Sequence, residues 1–120
     1  MAGFASAQPR VWMPKDKMYF GSFVQGAHPK FSFPFRNSGD SDLVISDIKI
    51  SDNDPSEPNY EHGAIIPYRW DSVTFVVNTD NLKPGRYQRR LSMFTNDPVF
   101  PVTDIFYGFD ILDNRKLPKQ

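Results

Sequence analysis

The stretch from Phe31 to Ser51 constrains this chain most: Phe-Ser-Phe-Pro-Phe-Arg-Asn, then Ser-Gly-Asp-Ser-Asp, then Leu-Val-Ile-Ser-Asp-Ile-Lys-Ile-Ser. Successive side chains of a strand point to opposite sides, so Phe31, Phe33 and Phe35 share one face and Ser32, Pro34 and Arg36 the other. Three phenyl rings on one face require a second apolar layer. Residues 37–42 tolerate positive φ or bond their own backbone, and the pattern predicts a β-hairpin. In the return run the alternation predicts Val44, Ile48 and Ile50 on one face, with Leu43 and Ile45 opposite.

The rest of the chain reads the same way. Val11–Met13 is a short first strand ended by Pro14, and 18–24 a second, whose Gly21 marks a bulge or a close backbone approach. Residues 52–63 are acidic, broken by Pro55 and Pro58, and aperiodic, which predicts a long solvated loop. Residues 64–67 read as a short edge strand, and 72–78 alternate as another. Pro84-Gly85 predicts a type II turn. Tyr87, Arg89, Leu91 and Met93 then share one face. Val102–Leu112 closes the domain with Thr103, Ile105, Tyr107, Phe109 and Ile111 in register. About seven strands with turn signals between them predict an all-β immunoglobulin-like antiparallel β-sandwich over residues 11–112, between an N-terminal arm (1–10) and a polar C-terminal tail (113–120).

Composition bounds the function. The 120 residues fit one domain, and the absence of cysteine removes disulfides, thiolate metal sites and cysteine nucleophiles together. Fourteen basic residues balance fourteen acidic ones, so no global field attracts nucleic acid. Arg86, Arg89 and Arg90 with Lys83 form a local basic cluster, read as a solvated sheet face because Arg89 and Arg90 project oppositely. No apolar run approaches the roughly 18 residues of a membrane span. Ala5-Ser6-Ala7-Gln8 resembles the end of a secretory cleavage site, but no charged leader and apolar segment precede it; no signal peptide is read, and a leader trimmed earlier stays open.

Eleven Phe, five Tyr and two Trp supply the candidate contacts. Tyr68-Arg69-Trp70 is an aromatic, cationic, aromatic triplet in a connection where burying all three is hard, and with Trp12 it forms the candidate partner-contact set. Tyr60 is a further aromatic in a connection, outside that set. His28 and His62 sit in polar connections without the spacing of a catalytic or metal constellation. Asp52, Asp54, Glu57 and Glu61 are oxygen donors without EF-hand spacing. The reading is therefore no catalytic residue, no metal and no cofactor.

Phe20-Gly21-Ser22-Phe23, Phe33 to Asn37, Gly39-Asp40, Leu43-Val44-Ile45, Lys83-Pro84-Gly85 and Thr95-Asn96-Asp97-Pro98 resemble, in that order, the landmarks of ASH or MSP-like immunoglobulin domains. The nearest resemblance is to a bacterial branch known as a domain of unknown function. It covers residues 11–112 and implies non-enzymatic scaffolding or interaction roles in ciliary, cytoskeletal or bacterial envelope proteins. Two positions depart from the bacterial pattern: Ser51-Asp52-Asn53-Asp54 replaces a Cys-Gly-Cys stretch, and Tyr68 replaces a glycine after Pro67. The expectation is a module docking onto protein subunits of a larger assembly, with its termini on neighbouring subunits. The setting is a virion, as decoration or auxiliary capsid protein, or a bacterial envelope. The alternative is a carbohydrate-binding module using Tyr68, Trp70 and Trp12.

Overall fold

A computed structural model describes residues 7–114. Seven strands, β1 (Val11–Trp12), β2 (Lys17–Val24), β3 (Lys30–Asn37), β4 (Ile45–Ile50), β5 (Trp70–Val76), β6 (Gly85–Thr95) and β7 (Val102–Leu112), form two sheets. Their orders are β1-β3-β5 and β2-β7-β6-β4, and every pairing is antiparallel except β2 with β7, which is parallel. This is the immunoglobulin-like sandwich that the alternation predicts.

The period-2 pattern sets the core. Phe31, Phe33 and Phe35 of β3, Val73 and Phe75 of β5, Leu91 and Met93 of β6, and Ile105, Tyr107, Phe109 and Ile111 of β7 are buried together between the sheets. Each fully buried phenylalanine contributes about 1.5–3 kcal/mol relative to exposure. In β2, Gly21 at φ 96° lies where the pairing to β7 shifts between Tyr19 and Ser22, so the glycine does mark a bulge. The bulge lets Met18, Phe20 and Phe23 all pack on the core.

The expected hairpin does not form. β3 and β4 lie in different sheets, so residues 38–44 cross from one layer to the other. An apolar run, a polar connector and a second apolar run have one pattern whether the chain folds back or changes layer; anchoring of the connector decides. The Asn37 side chain is buried and fully bonded: Oδ1 accepts from the Arg10 and Gly39 amides (3.3 and 3.0 Å), and Nδ2 donates to the Ser41 and Ile65 carbonyls (2.8 and 2.9 Å). A Cβ on Gly39 would stand 2.7 Å from the Arg10 amide nitrogen and closer still to the Gln8 carbonyl, so only glycine lets these segments meet. Gln8 and Asp40 exchange two further bonds. The described part of the expected arm is thereby fastened to the connector; residues 1–6 and 115–120 lie outside the described residues.

The facing predicted for residues 43–50 is also corrected. β4 carries a bulge between Ile45 and Asp47, so Leu43 and Ile45 before it and Ile48 after it all face the core, while Val44 is exposed. Residues 64–67 supply one isolated bridge, Ile65 to Leu43. The hydrogen-bonded reversal before β6 is Thr79–Leu82 (3.1 Å), and Gly85, at φ 148°, opens the strand.

Arg89 and Asp54, expected on a solvated face and in a solvated loop, are instead buried together. Arg89 projects from the core side of β6, its guanidinium 5.5 Å from the ring centroids of both Tyr87 and Phe109. Asp52 and Asn53 take φ 64° and 54°, a reversal that turns Asp54 inward onto the Arg89 Nη1. The side chains are 1% (Asp54) and 8% (Arg89) exposed. Beside them the Tyr107 hydroxyl and Arg89 Nε are buried without hydrogen-bond partners among the described residues. Burial, then the Asp54 charge, raises the Tyr107 phenol well above its ordinary value.

Two outcomes follow for stability. Asp54→Ala leaves a buried guanidinium unpaired and is expected to destabilise by about 3–5 kcal/mol in urea unfolding, whereas Asp54→Leu with Arg89→Met recovers most of the loss. For Tyr107, the folded chain keeps a proton that the unfolded chain releases near pH ~10. Its contribution is therefore intact below that pH and drains away as the pH climbs further. Tyr107→Phe is expected to stay within about 1 kcal/mol of the parent at neutral pH and to flatten the alkaline loss, read from urea midpoints at about pH 8 and about pH 11.

Candidate functional site

Strand register collects most of the sequence-selected residues at one place. Trp12 of β1 pairs with Arg36 of β3, which pairs with Trp70 of β5, so the three form one row across the sheet. Phe35 points into the core; its neighbour Arg36 and that row therefore lie on the outer face. The two indoles, each about half exposed, meet edge to face with centroids 5.5 Å apart and planes at 80°. Arg36 Nε donates to the Tyr68 carbonyl (2.9 Å), and its guanidinium carbon lies 5.7 Å from the Tyr68 ring centroid. Tyr68 is 57% exposed at φ 70°, a left-handed conformation unusual for an aromatic residue. It is held there by its amide, which donates to the Asn37 carbonyl (2.7 Å), and by the Asn37 amide, which donates to the Arg69 carbonyl (3.0 Å).

Arg69 does not join this group. It reaches Asp71 (3.8 Å), the register partner of Phe35, on the opposite side of the sheet from Trp70. The cation among the aromatics is instead Arg36, which sequence reasoning passed over. Alternation from Phe35 puts it outward, but only the β1-β3-β5 register shows that two tryptophans flank it.

A buried carboxylate braces the same region. Asp97, 1% exposed, accepts from the amides of Val11 (2.9 Å), Val99 (2.9 Å) and Phe100 (3.1 Å), with Arg10 Nη1 at 3.5 Å. It ties β1 to the turn before β7, where Val99 and Phe100 are exposed.

The other sheet presents a different outer face. One cross-strand row is Lys17, Phe106, Arg90; the next is Tyr19, Gly108, Gln88. Beyond them Arg86 and Asp110 pair through two hydrogen bonds (3.0 and 3.4 Å), and the Tyr19 hydroxyl donates to Asp110 (2.5 Å). The Arg86 bond, then that of Tyr19, holds the Asp110 carboxyl below its ordinary value. These rows line a surface groove of about 780 Å³.

The histidines are apart: His28 Nε2 lies 3.2 Å from Asp80, half exposed, and the His62 ring meets that of Tyr60 at a tilt, with centroids 4.3 Å apart. No three metal-ligating side chains converge among the described residues, and no helix among them is long and apolar enough to cross a membrane.

No protein-family model matches the chain, and no curated protein sequence matches it. Solved structures do. A protein of unknown function from Porphyromonas gingivalis superposes with a TM-score of 0.76 at 17% identity over 89% of this chain and 49% of that one, so the chain spans about half its length. The ASH/PapD-like domain of human CEP192 gives 0.63 at 10% identity, over 94% of this chain and 92% of that domain. The periplasmic chaperone SfaE gives 0.63 at 8% identity, over 91% and 61%. At these identities the likeness is one of fold, and that fold is the immunoglobulin-like sandwich with ASH and PapD-like neighbours.

Proposed function

We propose that this chain is a non-enzymatic interaction module of the ASH/MSP-like kind, its bacterial branch included, which docks onto protein subunits of a larger assembly through Trp12, Arg36, Tyr68 and Trp70. The observation that carries the reading is the outward row Trp12–Arg36–Trp70 with Tyr68 leaning on Arg36. Tryptophan, tyrosine and arginine are the side chains that most often dominate interface energy, because they bury large area at small entropic loss and bring a directed cation. Their setting is stiff: Asn37 and Asp97, both buried, hold the backbone on either side. A protein partner suits this surface better than a sugar does. Indole planes at 80° offer no flat platform for a pyranose, whereas they form a notch for a protruding side chain. Of the two settings, virion or bacterial envelope, the second is put forward; the fold likeness to a periplasmic chaperone supports it.

The test is affinity purification of the tagged chain from its native host, with quantitative mass spectrometry. A defined protein set is expected to co-purify and to fall about thirtyfold, roughly 2 kcal/mol, on Trp70→Ala or Arg36→Ala with the melting temperature unchanged. Retention of the same set by both variants sinks the reading. Tyr68→Gly separates fold from function at one position. It relieves the left-handed backbone, so stability is expected to hold or rise by up to about 1 kcal/mol, while partner recovery drops.

A further inference from the structure

We propose that the outer face of the β2-β7-β6-β4 sheet carries a separate binding site, built around Gly108, for an acidic sugar residue of a polysaccharide. It shares no residue with the tryptophan row and stands independently of the docking role.

Gly108 is glycine for reasons of space, not conformation, since its φ lies outside the left-handed region. A Cβ there would stand 3.2 Å from the Tyr87 carbonyl oxygen and 3.8 Å from both Gln88 Cγ and Tyr19 Cδ1. The missing side chain leaves bare backbone as the floor of a cradle. Tyr19 and Gln88 flank it, and Phe106 closes one end two residues along β7, roughly 7 Å away. Tyr19 and Phe106 are 59% and 50% exposed, yet Tyr19 is not free to swing: its hydroxyl is bound to Asp110, and Arg86 lies over its ring at 5.9 Å. An exposed ion pair such as Arg86–Asp110 adds little to stability, so an aromatic wall fixed by one is preorganisation of a surface rather than support for the fold.

Charge gives the ligand its sign. Lys17 and Arg90 flank Phe106 in the neighbouring row, and neither has an acidic partner among the described residues. The lining offers one acid, Asp52, against these two cations, with Arg89 paired to Asp54; the outward Asp110 is engaged by Arg86 and Tyr19, and Asp104 accepts from Ser92. The groove, about 780 Å³ and open to solvent, has room for a sugar residue lying along the sheet.

Strand order gives the ligand its class. β7 is hydrogen-bonded on both sides, so a peptide crossing its outer face finds no free edge to pair with and would leave its own amides unmatched. A pyranose needs no edge. Its C–H face packs on the electron-rich face of Tyr19 or Phe106, its hydroxyls reach the Gln88 amide, and a carboxylate at its rim takes charge-assisted bonds from Lys17 and Arg90.

Isothermal titration of the full chain against oligogalacturonate, hyaluronan and alginate fragments, each with a neutral oligosaccharide of like length and a poly-glutamate peptide as controls, decides the matter. At least one uronate fragment is expected to bind about tenfold or more tightly than its neutral control and than poly-glutamate, and to weaken with salt. Lys17→Ala with Arg90→Ala, and separately Tyr19→Ala, should each reduce binding about tenfold while melting temperature holds; Gly108→Ser should abolish it by filling the cradle. Trp70→Ala should leave it unchanged, which separates this site from the docking row. Equal binding of neutral sugars, preference for poly-glutamate, loss of sugar binding on Trp70→Ala alone, or no uronate binding at all each overturns the proposal.

Discussion

The structure depends on aromatic rings interlocked across the two sheets. Tyr107 and Phe109 of β7 reach Phe31 of β3 at 5.9 and 5.3 Å between centroids, Tyr107 also meets Phe33 and Phe75, and Phe20 of β2 stacks on Phe31 at 4.1 Å. Tilted and edge contacts of this kind fix the layers in orientation as well as spacing, because a ring's negative face meets a neighbour's positive edge. β7 uses both of its faces. Its odd-numbered residues from Ile105 to Ile111 fill the core, and its even-numbered ones face outward, where Phe106 and Gly108 line the groove.

Around that core the molecule places polar groups where a chain crossing would otherwise be loose. Asn37 satisfies four bonds at the crossing from β3, Thr79 accepts from Gly26 and donates to Ala27, and Asp97 gathers one amide from the start of β1 and two from the turn before β7. Each is buried and specific in geometry, so each selects one path for the backbone. Arg89 and Asp54 are of another kind. Their pairing offsets a desolvation that an apolar pair would never incur, and it ties the 51–54 turn to β6.

Alternation made the strands, the core rings and the sandwich legible in the chain, since period-2 burial is local. It failed where a single extra residue or a long-range bond intervenes. The bulge at Ile45–Asp47 reversed the facing of Val44, and the same run read as a hairpin because nothing in its composition reveals that Asn37 bonds Arg10 and Ile65. Arg89 falls in phase with Leu91 and Met93, a buried place for a charge that only the carboxylate arriving from thirty-five residues away makes tenable, and that partner is invisible to local alternation. At the aromatic surface, Trp12, Tyr68 and Trp70 stood out by residue type, while Arg36 gained its meaning only from register. The landmarks that resemble ASH domains serve turns and packing: Gly39 allows a backbone contact, and Asn96 accepts from the Val44 amide and donates to the Asp42 carbonyl.

The parallel pairing of β2 with β7 has a mechanical consequence. β2 is entered from the amino-terminal side at Lys17, and β7 is left toward the carboxyl terminus at Leu112, at opposite ends of the paired ladder. Tension drawn through the chain from either side slides the two strands lengthwise past each other, so their hydrogen bonds share the load together instead of opening one after another as a zipper does. In that geometry the ladder resists extension until its bonds fail together.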